Sequence, residues 1–129
     1  MKLSILSISG NKPFNYILQT VLSNDYYVIV ASDPITGLKQ MKMSGDIKLV
    51  IIDTDSFEEE AVEFIEYIKS SLLFQVPVIV LTSNDTDFIQ NKLSSLNLND
   101  SFVKPFNPLD LVKRVNQILS VNLLNSNKA

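Results

Sequence analysis

The sequence contains no cysteine and no histidine. Disulfides, thiolate nucleophiles, zinc sites built on Cys or His, and imidazole acid–base catalysis are therefore excluded. Any chemistry has to rest on carboxylates, hydroxyls, lysines and backbone amides. Basic charge is also scarce: 11 Lys and Arg stand against 14 Asp and Glu, a formal net charge of −3. No basic stripe forms, which argues against nucleic-acid binding by this domain. Long apolar runs are missing too, and none approaches the roughly 20 residues of a membrane-spanning helix. The opening Met1-Lys2-Leu3-Ser4-Ile5-Leu6 lacks the long apolar stretch and small-residue cleavage site of a signal peptide. With neither signal nor span, the expected location is the cytoplasm, away from membranes.

What is present suits one packed domain: 129 residues, 46% of them hydrophobic and 19% charged. Short apolar runs alternate with stretches of helical period. Leu3–Ile8, Tyr26–Val30, Leu49–Ile52, Val78–Leu81 and Phe102-Val103 read as strands. Between them, Phe14, Ile17, Leu18, Val21 and Leu22 form a helical stripe, with Asn15, Gln19 and Ser23 expected on the opposite side. Asp33-Pro34 is an N-cap followed by a first-turn proline, Ile35, Leu38 and Met41 continue the stripe, and Gly45 offers a stop. Ala61, Phe64, Ile65, Ile68 and Leu72 mark a third helix, and Ile89, Leu93 and Leu96 a fourth. A fifth, starting near Pro108, carries Leu111, Val112, Val115 and Leu119. The expected domain spans residues 1–121, with a fraying polar tail over 122–129. This alternation predicts an α/β fold, a doubly wound five-stranded parallel sheet with helices on both faces.

In such sheets the functional crevice lies at the carboxyl ends of the strands. Those ends carry Ser9-Gly10-Asn11 after the first strand, Asp53-Thr54-Asp55 after the third, Thr82-Ser83 after the fourth and Lys104-Pro105 after the fifth. Alone, each is better explained as a turn residue, a helix cap or a solvated lysine than as a functional group. Together, an acid, a hydroxyl and an amine converge on one edge of the sheet.

The combination resembles the CheY-like receiver domains of two-component response regulators, from Ile5 to about Leu119. The resemblance implies that Asp53, in Leu49-Val50-Ile51-Ile52-Asp53, is the phosphoacceptor. It implies that Thr82 and Lys104 contact the phosphoryl group, the first as hydrogen-bond donor and the second as cation. It also implies a cis peptide before Pro105. Receivers normally hold magnesium with two acids after the first strand, and here Ser9 and Gly10 stand in that stretch. Asp53 and Asp55 are the carboxylates left for a metal. A unit charge about 4 Å from another contributes roughly 4 kcal/mol at an effective dielectric of about 20. Loss of both acids should therefore leave little magnesium affinity. The family's switch aromatic lies three residues before the lysine, a position held here by Ser101. Phe102 is adjacent and should point to the opposite face. The acids Glu58, Glu59, Glu60, Glu63 and Glu66 read as a helix start and a solvated face.

Two functions follow from the resemblance, both for a signalling domain and not an enzyme. The first is an atypical receiver of a phosphorelay that works mainly through protein–protein interaction. The second is a working receiver, a phosphoprotein modified on Asp53 by a histidine kinase. The implied partner is a histidine kinase, a phosphotransfer protein or a downstream effector. It would bind through the face of the fourth helix, fifth strand and fifth helix, where a homodimer could also form. A third reading comes from another class: Ser7-Ile8-Ser9-Gly10-Asn11-Lys12 resembles the phosphate loop of flavodoxins, with Phe57 and Phe88 flanking an FMN ring.

Overall fold

The structure, a computed structural model, describes residues 2–55, 57–71, 74–83, 91–92, 94–96, 98 and 100–126, with side chains through residue 120. Its elements are β1 (Leu3–Ile8), α1 (Lys12–Leu22), β2 (Tyr26–Ala31), α2 (Pro34–Ser44), β3 (Ile47–Asp53), α3 (Glu58–Ser70), β4 (Val78–Thr82), β5 (Ser101–Val103) and the terminal helix α4 (Pro108–Ser126). Helical backbone also covers Asn91, Lys92, Ser94 and Ser95, within the expected fourth helix. Ile89, Leu93 and Leu72, and Phe88 of the flavin reading, lie outside the described residues.

The strands form one parallel sheet in the order β2-β1-β3-β4-β5. The apolar runs of β3 and β4 lack polar alternation because both faces are covered. Alternate residues supply opposite faces. Leu6, Ile8, Val50, Ile52 and Val80 pack with Met41, Phe64, Ile65 and Ile68 from α2 and α3. Ile5, Leu49, Ile51, Ile79 and Leu81 pack with Leu18, Leu22, Leu111, Val115 and Leu119 from α1 and α4.

Local signals work as their chemistry requires. The Asp33 carboxylate accepts from Thr36 N at 2.7 Å, and Gly45 ends α2 with φ +64°. Gly37 on α2 lies so close to β1 that a Cβ there would stand 2.5 Å from Ile8 Cδ1. The last helix continues to Ser126, beyond the expected boundary at 121. No glycine or proline interrupts residues 109–126. Among the described residues no helix is long and apolar enough to cross a membrane.

Two apolar stripes need correction. Ile17 is 46% exposed, whereas Asn15, expected outside, is buried. Asn15, Leu18 and Leu22 share the inward face of α1. The amide is accommodated because Ser7 Oγ donates to Asn15 Oδ1 at 2.6 Å and Asn15 Nδ2 donates to Ala31 O at 3.3 Å. Ile35 is likewise exposed, at 68%. The face of α2 toward the sheet is set by Pro34, Gly37 and Met41.

Candidate functional site

The carboxyl ends of β1, β3, β4 and β5 bring Ser9, Asp53, Asp55, Thr82, Ser83 and Lys104 together. Asp53 closes β3 with its side chain only 2% exposed. A carboxylate that deep needs partners for its charge and lone pairs. Ser9 Oγ donates to Asp53 Oδ2 at 2.7 Å, Lys104 Nζ donates to the same oxygen at 2.8 Å, and Asp55 N donates to Oδ1 at 3.0 Å.

Lys104 is placed by β5 and by its own amide, which donates to Thr82 O at 2.8 Å. The Lys104–Pro105 peptide is cis, as the resemblance implies. Its ammonium reaches a second acid, Asp55 Oδ2, at 2.9 Å. It also lies 4.2 Å from the centroid of the Phe14 ring, a cation–π contact. Phe14 is backed edge-on by Phe106. Burial would lower the ammonium's pKa, but the hydrogen bonds and charges of Asp53 and Asp55 outweigh it and hold the pKa above the usual lysine value. Burial likewise raises Asp55, but the Ser83 amide, Lys104 and the Ser83 hydroxyl outweigh it and hold the carboxyl below the usual range.

Asp55 Oδ1 accepts from Ser83 N at 2.8 Å. The turn after β3 is thereby joined to the end of β4, a contact that sequence spacing does not reveal. Thr54 N adds a parallel link, donating to Leu81 O at 2.9 Å. Thr82 is fully buried at the same edge. Ser101 is exposed on β5, and its neighbour Phe102 packs into the core against Phe106.

The loop after β1 is engaged internally. Ser9 Oγ turns to Asp53, Asn11 N donates to Ser9 Oγ at 3.1 Å, and Asn11 Oδ1 caps α1 by accepting from Phe14 N at 3.0 Å. Phe57, expected beside a flavin, instead packs partly buried against the core. Glu58, Glu59 and Glu60 occupy the first turn of α3, where acids complement the helix dipole. Among the described residues, no three of Asp, Glu, His and Cys are grouped so as to hold a metal ion.

A doubly wound five-stranded parallel sheet in this order is the CheY-like, flavodoxin-like fold, and the solved structures that share it include receiver domains of response regulators. Over its whole length the chain aligns with the signal receiver domain of a putative Luxo repressor protein from Vibrio parahaemolyticus, covering 99% of that chain at TM-score 0.85 and 14% identity. Chemotaxis protein CheY4 of Vibrio cholerae aligns at TM-score 0.80 and 18% identity, over 91% of this chain and 98% of that one. In sequence, 97% of the chain is 28% identical to hybrid signal transduction histidine kinase D of Dictyostelium discoideum, over 127 residues. The chain spans 8% of the length of that kinase. No protein-family model matches the chain.

Proposed function

We propose that this domain is an atypical receiver of a two-component system, acting through protein–protein contacts with little metal-dependent phosphorylation of Asp53. The observation that carries the reading is Ser9, whose hydroxyl donates to Asp53 Oδ2 at 2.7 Å from the strand end where receivers carry their metal-binding acids. The charge of Asp53 is met by Lys104 and a serine hydroxyl, with no acid in the loop after β1 to hold a metal beside it.

The residues present do not fit magnesium. That ion needs oxygen donors in near-octahedral array and relies on carboxylates to offset its dehydration. The two carboxylates at this edge are both engaged by Lys104, and Ser9 offers a hydroxyl that already donates to Asp53. Charge points the same way. One ammonium against two carboxylates leaves the cluster at −1, before any phosphoryl dianion arrives. Each added like-charge contact at about 4 Å costs roughly 4 kcal/mol at an effective dielectric near 20.

The partner would be a histidine kinase, a phosphotransfer protein or a downstream effector, engaged on the face that includes β5 and α4. Ser101 supplies little bulk for an aromatic-type switch at that face. A modification shifts an equilibrium only by its differential affinity for the two states. Partner affinity should accordingly be the same, within about threefold, for wild type, Asp53→Ala and the beryllofluoride-treated protein. A tenfold spread, about 1.4 kcal/mol, would mean that the domain switches on Asp53 and would defeat this reading.

A further inference from the structure

The Asp55 carboxylate is held by two donors from different strand ends. Ser83 N, at the end of β4, donates to Oδ1 at 2.8 Å, and Lys104 Nζ, after β5, donates to Oδ2 at 2.9 Å. A backbone amide and an ammonium aimed at one point make a cradle for an oxyanion. Neither donor is near Asp55 in the chain. Asp55 is aimed by its own amide, which donates to Asp53 Oδ1 at 3.0 Å.

We propose that Asp55 is a tethered internal ligand of this cradle, holding the turn after β3 against the end of β4 as a bound phosphate-type oxyanion would. A ligand on a short tether competes at an effective concentration in the millimolar range or above. A free anion reaching the cradle must displace it and leave the Asp55 carboxylate without its cation. Removing the Asp55 carboxylate changes the local charge from −1 to zero and frees the Ser83 amide and one N–H of Lys104, whose ammonium keeps its bond to Asp53. An external monoanion then restores the wild-type charge count and both hydrogen bonds. The inference goes beyond the interaction-module reading and does not rest on it, because the cradle's occupancy is independent of whether Asp53 accepts phosphate.

The test is titration of inorganic phosphate into the intact chain, followed through the Ser83 amide resonance in nitrogen–proton correlation spectra. Asp55→Ala should show a saturable shift of Ser83 at least about tenfold tighter than any in wild type. The shift should vanish in Asp55→Ala combined with Lys104→Met. A wild-type affinity within tenfold of the variant's, persistence of the shift in the double variant, or no saturable shift in Asp55→Ala would each overturn the proposal. Asp55→Ser, whose short side chain cannot reach both donors, is titrated beside it, so that poor spectral dispersion in one variant leaves the other to decide. Failure here with Asp53-independent partner binding would sink the cradle alone. Success with Asp53-dependent binding would sink only the interaction-module reading.

Discussion

Lys104 and Asp53 are 51 residues apart in sequence and 2.8 Å apart in space, joined across the carboxyl edge of the sheet from the ends of β5 and β3. The same ammonium holds Asp55, so one cation serves two acids.

That sharing makes the lysine the sensitive member. Lys104→Met leaves a carboxylate that is 2% exposed without its cation, and should cost about 2–4 kcal/mol in urea denaturation, somewhat under the roughly 3–5 kcal/mol of breaking a fully buried pair, because Ser9 and the Asp55 amide still donate to it. Asp53→Asn leaves Lys104 its second partner and should change stability by less than about 1 kcal/mol. The reverse ranking of the two variants would contradict the arrangement.

The two shifted groups fix a pH window. Asp55 is depressed below its ordinary 3.8, so its contribution is present above that value and is lost as pH falls through the lower folded pKa. Lys104 is raised above its ordinary 10.5, so its contribution is present below that value and is lost as pH rises through the higher folded pKa. The melting-temperature difference between wild type and Asp55→Asn should be flat between about pH 5 and pH 9 and shrink at both extremes. A difference that peaks sharply inside that range would mean that another group controls it.

Gly37 tests the packing of α2 on the sheet. An added Cβ meets Ile8 Cδ1 at 2.5 Å and Cγ1 at 2.9 Å, and Ile8 is itself buried. Overpacking of this kind costs about 1–3 kcal/mol and outweighs the roughly 1 kcal/mol of helix propensity that alanine gains. Gly37→Ala should therefore lower the denaturation midpoint, and an unchanged or higher midpoint would show that Ile8 gives way.

Asn15 tests the buried polar contact between α1 and the sheet. Asn15→Ala removes the acceptor of Ser7 Oγ and a donor to Ala31 O, and should cost about 1–3 kcal/mol through unsatisfied groups. Combining it with Ser7→Ala should recover part of that loss. Strict additivity of the two would rule out the coupling.

The sheet is legible in the sequence because β3 and β4 are buried on both faces, so their runs Leu49–Ile52 and Val78–Leu81 carry no polar interruption. Turn chemistry is equally local, since Asp33, Pro34 and Gly45 act on their own backbone. Asp53, Thr82 and Lys104 can be placed together from topology alone, because each follows a strand. Asn15 and Ile17 defeat the periodicity because a polar residue can face inward when distant backbone supplies its partners, and helical period does not report those partners. Asp55 is legible as a nearby carboxylate, but its bond to Ser83 depends on how two loops meet across 28 residues of sequence.

Ser9 and Gly10 stand where receivers carry the acids that hold a metal beside the phosphoacceptor, so Asp53 is expected to gain no phosphoryl group by a magnesium-dependent route. Incubation with acetyl phosphate, with and without magnesium, followed by intact-mass measurement of wild type and Asp53→Asn, tests this most directly. Wild type is expected to show no magnesium-dependent gain of a phosphoryl mass. A magnesium-dependent adduct that disappears in Asp53→Asn would contradict it.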